Sequence, residues 1–337
     1  MTRSRPTLED VAAHASVSRA TVSRVINGSP KVSDEVRDTV EESIKMLGYV
    51  PNRAARTLVT QRTDTIALVV SEPDTMLFND PFFGGIVRGV SLELQDTGEQ
   101  LVLVMVTTDA DHERFERYVR GGHIDGVLLL SLHGADPLPG ALARAGIPTV
   151  LGGRILVNDA GLPCVDVDNV GGAGLAVRRL IEGGRRRIAT IAGPQNMGAG
   201  VDRLIGYREA LGPGRYRDEL VEVGDFTQAS GARAMGALLE RAPDLDAVFA
   251  ASDLMAVGAL ATLRAASRQV PGDVALVGFD DHDVAQYVDP PLTTVRQPIV
   301  DMGRAMTRKL LGLLDPASAA SNGADVLPTE LVVRQSA

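Results

Sequence analysis

The chain has 337 residues, a formal net charge of −9 and one cysteine, Cys164. That length exceeds a single hydrophobic core and suits two or three domains, and a lone cysteine excludes an intrachain disulfide framework and fits a reducing compartment. No apolar run approaches the ~20 residues of a membrane span and the first residues hold no apolar signal core, so the expected location is the cytoplasm, away from membranes.

The charge is uneven. Residues 1–62 carry ten Lys/Arg against seven Asp/Glu, a net +3, which leaves −12 for the remainder. A basic head on an acidic body confines attraction for a polyanion to the head.

In chain order, Thr7 three residues before Asp10 is a capping box. Leu8, Val11, Ala12 and Ala15 then make one apolar stripe at helical spacing. Ser16-Val17 turns the chain, and Ser18 is placed to cap a second helix whose apolar face is Val22, Val25 and Ile26. Its opposite face carries Arg19, Thr21, Ser23, Arg24 and Asn27, donors suited to phosphates and base edges. Asn27-Gly28-Ser29-Pro30 stops that helix. Ser33 is expected to cap a third, with Val36, Val40, Ile44 and Leu47 inward and Gly48 at its end. The pattern predicts an all-α helix-turn-helix head over residues 1–49, its second helix free to enter a DNA groove. The nine residues Pro51–Val59 are too few for an independently stable helix, so folding on binding is expected there.

From Thr65 onward, apolar runs alternate with helical patterns. Strands are expected at Ile66–Val70, Leu101–Val106, Gly126–Leu130, Thr149–Leu151, Ile188–Ala192, Ala247–Ala250 and Val274–Gly278. Helices are expected at Arg203–Leu211, Ala229–Arg241, Leu254–Ala266 and Ile299–Leu314, with a last strand near Glu330–Val333. Continuous apolar runs point to parallel strands buried on both faces, hence a doubly wound α/β body. Such sheets bind ligands beyond the carboxyl ends of their strands. That rule selects Asp80, Phe82 and Phe83, then Ser131 and His133, Arg154, Arg203, Ser252-Asp253 and Asp280. Arginines, carboxylates and aromatic rings in such places suit a polyhydroxylated ligand. Taken singly, His133 reads as a surface-loop residue, and Asp253 reads equally well as a helix cap. The chain has no Walker loop, no HExxH, no GxSxG elbow and no cysteine pair, and Gly172-Ala173-Gly174 lacks the third glycine of a dinucleotide fingerprint. The expectation is therefore a binding protein, not an enzyme, with no catalytic residues, cofactor or metal.

Three stretches carry a family resemblance. They are Thr-Leu-x-Asp-Val-Ala at 7–12, Ala-Thr-Val-Ser-Arg-Val-Ile-Asn at 20–27 and Gly-Tyr-x-Pro-Asn at 48–52. Together they resemble the LacI/GalR family of bacterial transcription factors, and the resemblance runs on through nearly the whole chain. It implies a ligand-responsive regulator: a repressor of sugar-utilisation genes, released from a pseudo-palindromic operator by a mono- or disaccharide. A purine-type co-repressed regulator and a cytoplasmic sugar-binding protein with no DNA role are the alternatives. The implied DNA contacts are Thr7, Ser18, Arg19, Ala20, Thr21, Ser23, Arg24 and Asn27, with Asn52, Ala55 and Leu58 in a hinge over 50–62. Ala20 offers only an apolar contact, such as to a thymine methyl. Leu58 matches the leucine that wedges a minor-groove step when two hinges pair, which makes a homodimer the expected assembly.

The implied receptor is a two-lobed, periplasmic-binding-protein-like domain over 63–337. Lobe 1 would comprise 63–168 and 297–325, and lobe 2 would comprise 169–296 and 326–337, with crossings near Asp168, Gln297 and Asp325. The implied effector contacts are Phe82, Phe83, Arg154, Arg203, Phe226, Ser252, Asp253 and Asp280. The chain has no tryptophan, so ring stacking would fall to phenylalanine or tyrosine.

Overall fold

The structure, a computed structural model, describes residues 6–26, 29, 31–50, 62–156, 161–315, 317 and 323–337. Asn27, Asn52, Ala55 and Leu58 lie outside the described residues. The chain divides into two compact units, Met1–Thr63 and Asp64–Ala337.

The first unit is built from helices Leu8–His14, Arg19–Ile26 and Asp34–Leu47. The capping box forms: the Thr7 N–H donates to Asp10 Oδ2 at 2.8 Å, and the Asp10 N–H donates to Thr7 Oγ1 at 3.3 Å. Ser18 Oγ accepts the Thr21 N–H at 3.1 Å, satisfying one orphan donor of the second helix. Ser33 takes the cap position of the third with extended backbone, but its hydroxyl makes no cap bond. Gly48 closes that helix at φ 62°, a left-handed conformation that glycine adopts at little cost. The small core gathers Val11, Val22, Val25, Val40 and Tyr49, the inner faces that the helical spacing predicts.

The second unit holds two six-stranded sheets. The strands are β1 Thr65–Val70, β2 Gln100–Met105, β3 Gly126–Leu130, β4 Thr149–Gly152, β5 Cys164–Val167, β6 Ile188–Ala192, β7 Val221–Val223, β8 Ala247–Ala250, β9 Ala275–Asp280, β10 Thr293–Arg296, β11 Ala324–Leu327 and β12 Glu330–Val332. The sheet orders are β11-β5-β4-β3-β1-β2 and β12-β10-β9-β8-β6-β7. All pairings are parallel except that of β12 with β10. In β1, Ile66, Leu68 and Val70 enter one core cluster while Ala67 and Val69 enter another. Both faces of the strand are thus covered by helices, which explains its unbroken apolar run.

The chain passes from one sheet to the other three times: after β5, after β10 and after β11. The third crossing was expected near Asp325. That residue instead sits inside β11, paired with Val165, and the chain leaves the first sheet only after Leu327. The chain enters the Gln297 crossing from strand β10, which runs beside β9. Two crossings are stitched together, since the Asp168 N–H donates to Leu327 O at 2.8 Å and Thr329 Oγ1 to Asp168 O at 3.2 Å. Among the described residues no helix is long and apolar enough to cross a membrane.

Candidate functional site

In the first unit, Val22 and Val25 turn inward, so the second helix must present its other side. Ser18, Arg19, Ala20 and Arg24 are exposed there, and Thr21 and Ser23 half-buried. Arg19 is held by an exposed ion pair with Glu9 at 3.0 Å, an interaction weak enough in water to yield to a phosphate. Thr7 and Ser18 spend their hydroxyls on caps. The Thr7 backbone and hydroxyl donors hold the Asp10 carboxyl below its usual range. The face can therefore offer two guanidinium groups, short polar side chains and a methyl to a groove.

In the second unit, a cleft of about 840 Å³, part of it open to solvent, lies where strand ends of the two sheets meet. Phe82, Phe83, Arg154, Arg203, Phe226 and Asp280 all line it. Arg203, on helix Gly198–Leu211, is only 5% exposed. Its Nε donates to Asn169 Oδ1 at 2.9 Å, and its Nη1 donates to Ala251 O at 2.6 Å and Asp280 Oδ1 at 3.2 Å. The guanidinium lies 3.7 Å from the Phe279 ring centre and 5.7 Å from that of Phe226. Burial pulls its pKa down, opposed by Asp280, Asp166 and Asp80, and it stays a cation. Asp280 also accepts from Gln297 Nε2 at 2.6 Å, so one crossing residue and one helix residue fix the same carboxylate oxygen.

The aromatic wall follows from local backbone. Phe226 stands at φ 66°, and a Cβ on Gly193 would come within 2.4 Å of its ring, so glycine there leaves room for the aromatic side chain. Asp80 caps helix Pro81–Leu94 through the Phe82 N–H at 2.9 Å, which sets Phe82 and Phe83 edge-to-face at 5.4 Å. Burial, then the charge of Asp280, raises the Asp80 carboxyl to about 6.

Three lines of the expectation change. Ser252 and Asp253 do not line the cleft. Ser252 caps helix Asp253–Ala265 through the Met255 N–H at 3.2 Å. Asp253 is wholly buried behind the cleft, accepting from the His282 N–H at 2.8 Å and from Thr294 Oγ1 at 2.5 Å. Burial and Asp280 push its pKa well up. Arg154 lines the cleft but is occupied: its guanidinium pairs with Asp202 of the other lobe through Nε and Nη2. His133 is not a bare surface residue, since its Nε2 lies 2.7 Å from Glu72 Oε1.

The structure also adds cleft residues that the sequence reading passed over: Glu72, Asp166, Asn169 and Gln297. Asp166 accepts the Arg154 N–H at 3.0 Å and Asn169 Nδ2 at 3.1 Å, and burial raises its pKa. Asp166, Asn169 and Gln297 sit at lobe crossings, a signal available once the crossings are placed. Nothing local marks Glu72 beyond its position after β1.

Comparison with known proteins places both units. Residues 7–52 match the description "Bacterial regulatory proteins, lacI family", and residues 177–337 match "Periplasmic binding protein-like domain". The chain is 57% identical to the HTH-type transcriptional regulator CelR of Thermobifida fusca, over 99% of both chains. It is 38% identical to the HTH-type transcriptional regulator GalR of Escherichia coli K12, over 92% of this chain and 89% of that one. A solved CelR–cellobiose complex superposes with a TM-score of 0.79 at 54% identity, covering 99% of this chain and 100% of that one. The Lac repressor dimer bound to operator and an anti-inducer superposes at 0.85 with 26% identity, covering 99% of each. The second unit therefore serves a ligand-responsive, DNA-binding regulator and not an enzyme, and the chain belongs to the lacI family of bacterial regulatory proteins.

Proposed function

We propose that the chain is a cytoplasmic, homodimeric repressor whose effector is cellobiose or a closely related disaccharide. The observation that carries this is the buried Arg203 set, with its guanidinium oriented by Asn169, Ala251 and Asp280 and walled by Phe226. Nε and Nη1 are engaged, so Nη2 is the nitrogen that meets a ligand oxygen. Asp280 supplies the matching acceptor for sugar hydroxyls, and Phe82 and Phe226 supply flat apolar faces for ring C–H groups. Full-length similarity to a regulator solved with cellobiose supports a ligand of that class.

Residues 1–49 act as the reader, 50–62 as the hinge and 63–337 as the receptor. One reader per chain matches one half-site of a pseudo-palindrome when two chains associate. Arg19, Ala20, Thr21, Ser23, Arg24 and Asn27 face the major groove, with Thr7 and Ser18 at the backbone. Asn52, Ala55 and Leu58 serve the hinge. Cellobiose changes the angle between the lobes and releases DNA.

Fluorescence anisotropy with a labelled operator tests this reading. Cellobiose should release the DNA, while glucose and adenosine at the same concentration should not. Tighter operator binding on adding adenosine, with no effect of cellobiose, would establish the co-repressed purine reading instead.

A further inference from the structure

A second set of cleft residues lies apart from Arg203, on the loops after β1 and β3. Glu72 follows β1, lines the cleft and is only 7% exposed. Its Oε1 is fixed at 2.7 Å from His133 Nε2, in the loop after β3. A buried carboxylate is costly to leave unpartnered, and one held by a single oxygen presents the other in a set direction. His133 is held above the usual histidine range chiefly by Glu72, with a smaller contribution from the Asn196 side chain of the opposite lobe. The next residue links the loop to that lobe, since the Gly134 N–H donates to Asn196 O at 2.7 Å. Asp136 closes the loop from behind. Its Oδ2 accepts from Ser71 Oγ at 3.1 Å, and its Oδ1 lies 3.3 Å from His112 Nε2. Glu72, bonded to His133, and the adjoining Gly134 thus join the cleft wall to the other lobe at Asn196, just before the cleft-lining Met197 and Gly198.

We propose that Glu72 is a ligand-contact residue that selects effectors by one hydroxyl group, and that His133 is the positioning residue that aims it and ties it to lobe closure. This rests on the disaccharide reading above. An ionised glutamate accepts only, so it rewards a ligand donor at one place and leaves a desolvated charge unmet where that donor is missing. A site built on such a bond discriminates far more sharply than an apolar wall does. Because the Gly134 N–H bonds Asn196 O across the cleft, the Glu72–His133 bond is linked to lobe closure. Its loss should therefore weaken both binding and the release of DNA.

The test is a protein–ligand mutant cycle by titration calorimetry. The ligands are cellobiose and its monodeoxy analogues. The proteins are wild type, Glu72→Gln, Glu72→Ala, His133→Ala and His133→Gln, each checked for unchanged operator binding. In the wild type one analogue should bind about 10–100-fold more weakly than cellobiose, the cost of an unmet charged hydrogen bond. That penalty should fall to a few-fold in Glu72→Gln and vanish in Glu72→Ala, while the penalties of the other analogues persist. His133→Ala should shrink the same penalty, and His133→Gln, whose amide can still donate to Glu72, should restore part of it. Uniform weakening across all analogues, or no change, overturns the assignment while the disaccharide reading stands. Binding of adenosine and of no member of the cellobiose series overturns both.

Discussion

In the head, Arg19 and Arg24 stand in water on a helix whose other side packs a small core, while in the receptor Arg203 and Asp280 are 5% and 6% exposed. The two settings give one residue type different physics. An exposed arginine acts by screened electrostatics and contributes in proportion to the phosphates it meets. A buried arginine is oriented before any ligand arrives, and it depends on every partner being present. The head should therefore respond to substitution gradually and with a salt dependence. The receptor should respond steeply and depend little on salt.

The largest departure is expected at Arg203. Arg203→Ala leaves Asp280 buried without its cation, a cost of about 3–5 kcal/mol in chemical unfolding of the receptor. If the variant folds, operator binding should survive while the cellobiose response is lost. Arg203→Lys keeps the charge but lacks the fork, and should recover stability more than response. A neutral result for Arg203→Ala would erase the contrast between the two settings.

Asp80 sharpens the contrast through pH. Its folded pKa is raised from 3.8 to about 6, so its contribution to stability is complete below its unfolded pKa and is lost as pH rises through about 6. The receptor should lose up to about 3 kcal/mol of unfolding free energy over that window from this group. Asp80→Asn keeps an acceptor for the Phe82 N–H and should reduce the slope in pH-dependent thermal melts. It should not abolish the slope, because Asp253 is shifted in the same direction.

Gly198 tests closure. A Cβ there would come within 2.4 Å of the Arg154 carbonyl oxygen on the other lobe. Gly198→Ala should hold the lobes apart at a cost of about 1–3 kcal/mol, read as roughly tenfold or more weaker cellobiose binding by calorimetry. Operator affinity without effector should be unchanged.

The smallest effect belongs to the head. Arg24→Ala should weaken operator binding several-fold and reduce the slope of log affinity against log salt by about 0.9, the loss of one phosphate contact. Effector affinity should not move. An unchanged slope would point to a base-edge contact instead.

How far each region could be read from sequence follows the same division. The head's helices come from periodicity within a few residues of one another, and the structure places all three at the expected turns and caps, apart from the missing Ser33 cap bond. In the receptor, strands buried on both faces were legible as apolar runs. Four others were not, among them the four-residue β10, Thr-Thr-Val-Arg. β5 is interrupted by Asp166, and β7 and β11 are short and more exposed edge strands. The strand-end rule points to Arg203 and Asp280 from local sequence, while Phe226 comes only from the family resemblance. It also points to Ser252 and Asp253, where a cap and a buried acceptor explain the residues fully. Glu72, Asn169 and Gln297 acquire meaning only through pairing with His133, Arg203 and Asp280, which are distant in sequence. No local pattern encodes such pairing.

The central claim is that the exposed reader and the buried receptor form one switch, and coupling between them must be reciprocal. The most direct measurement is the affinity for cellobiose of the full chain, by equilibrium titration, alone and saturated with operator DNA. The account predicts weaker cellobiose binding on operator, by the same factor by which cellobiose weakens operator binding. Equal affinity in the two states would contradict it.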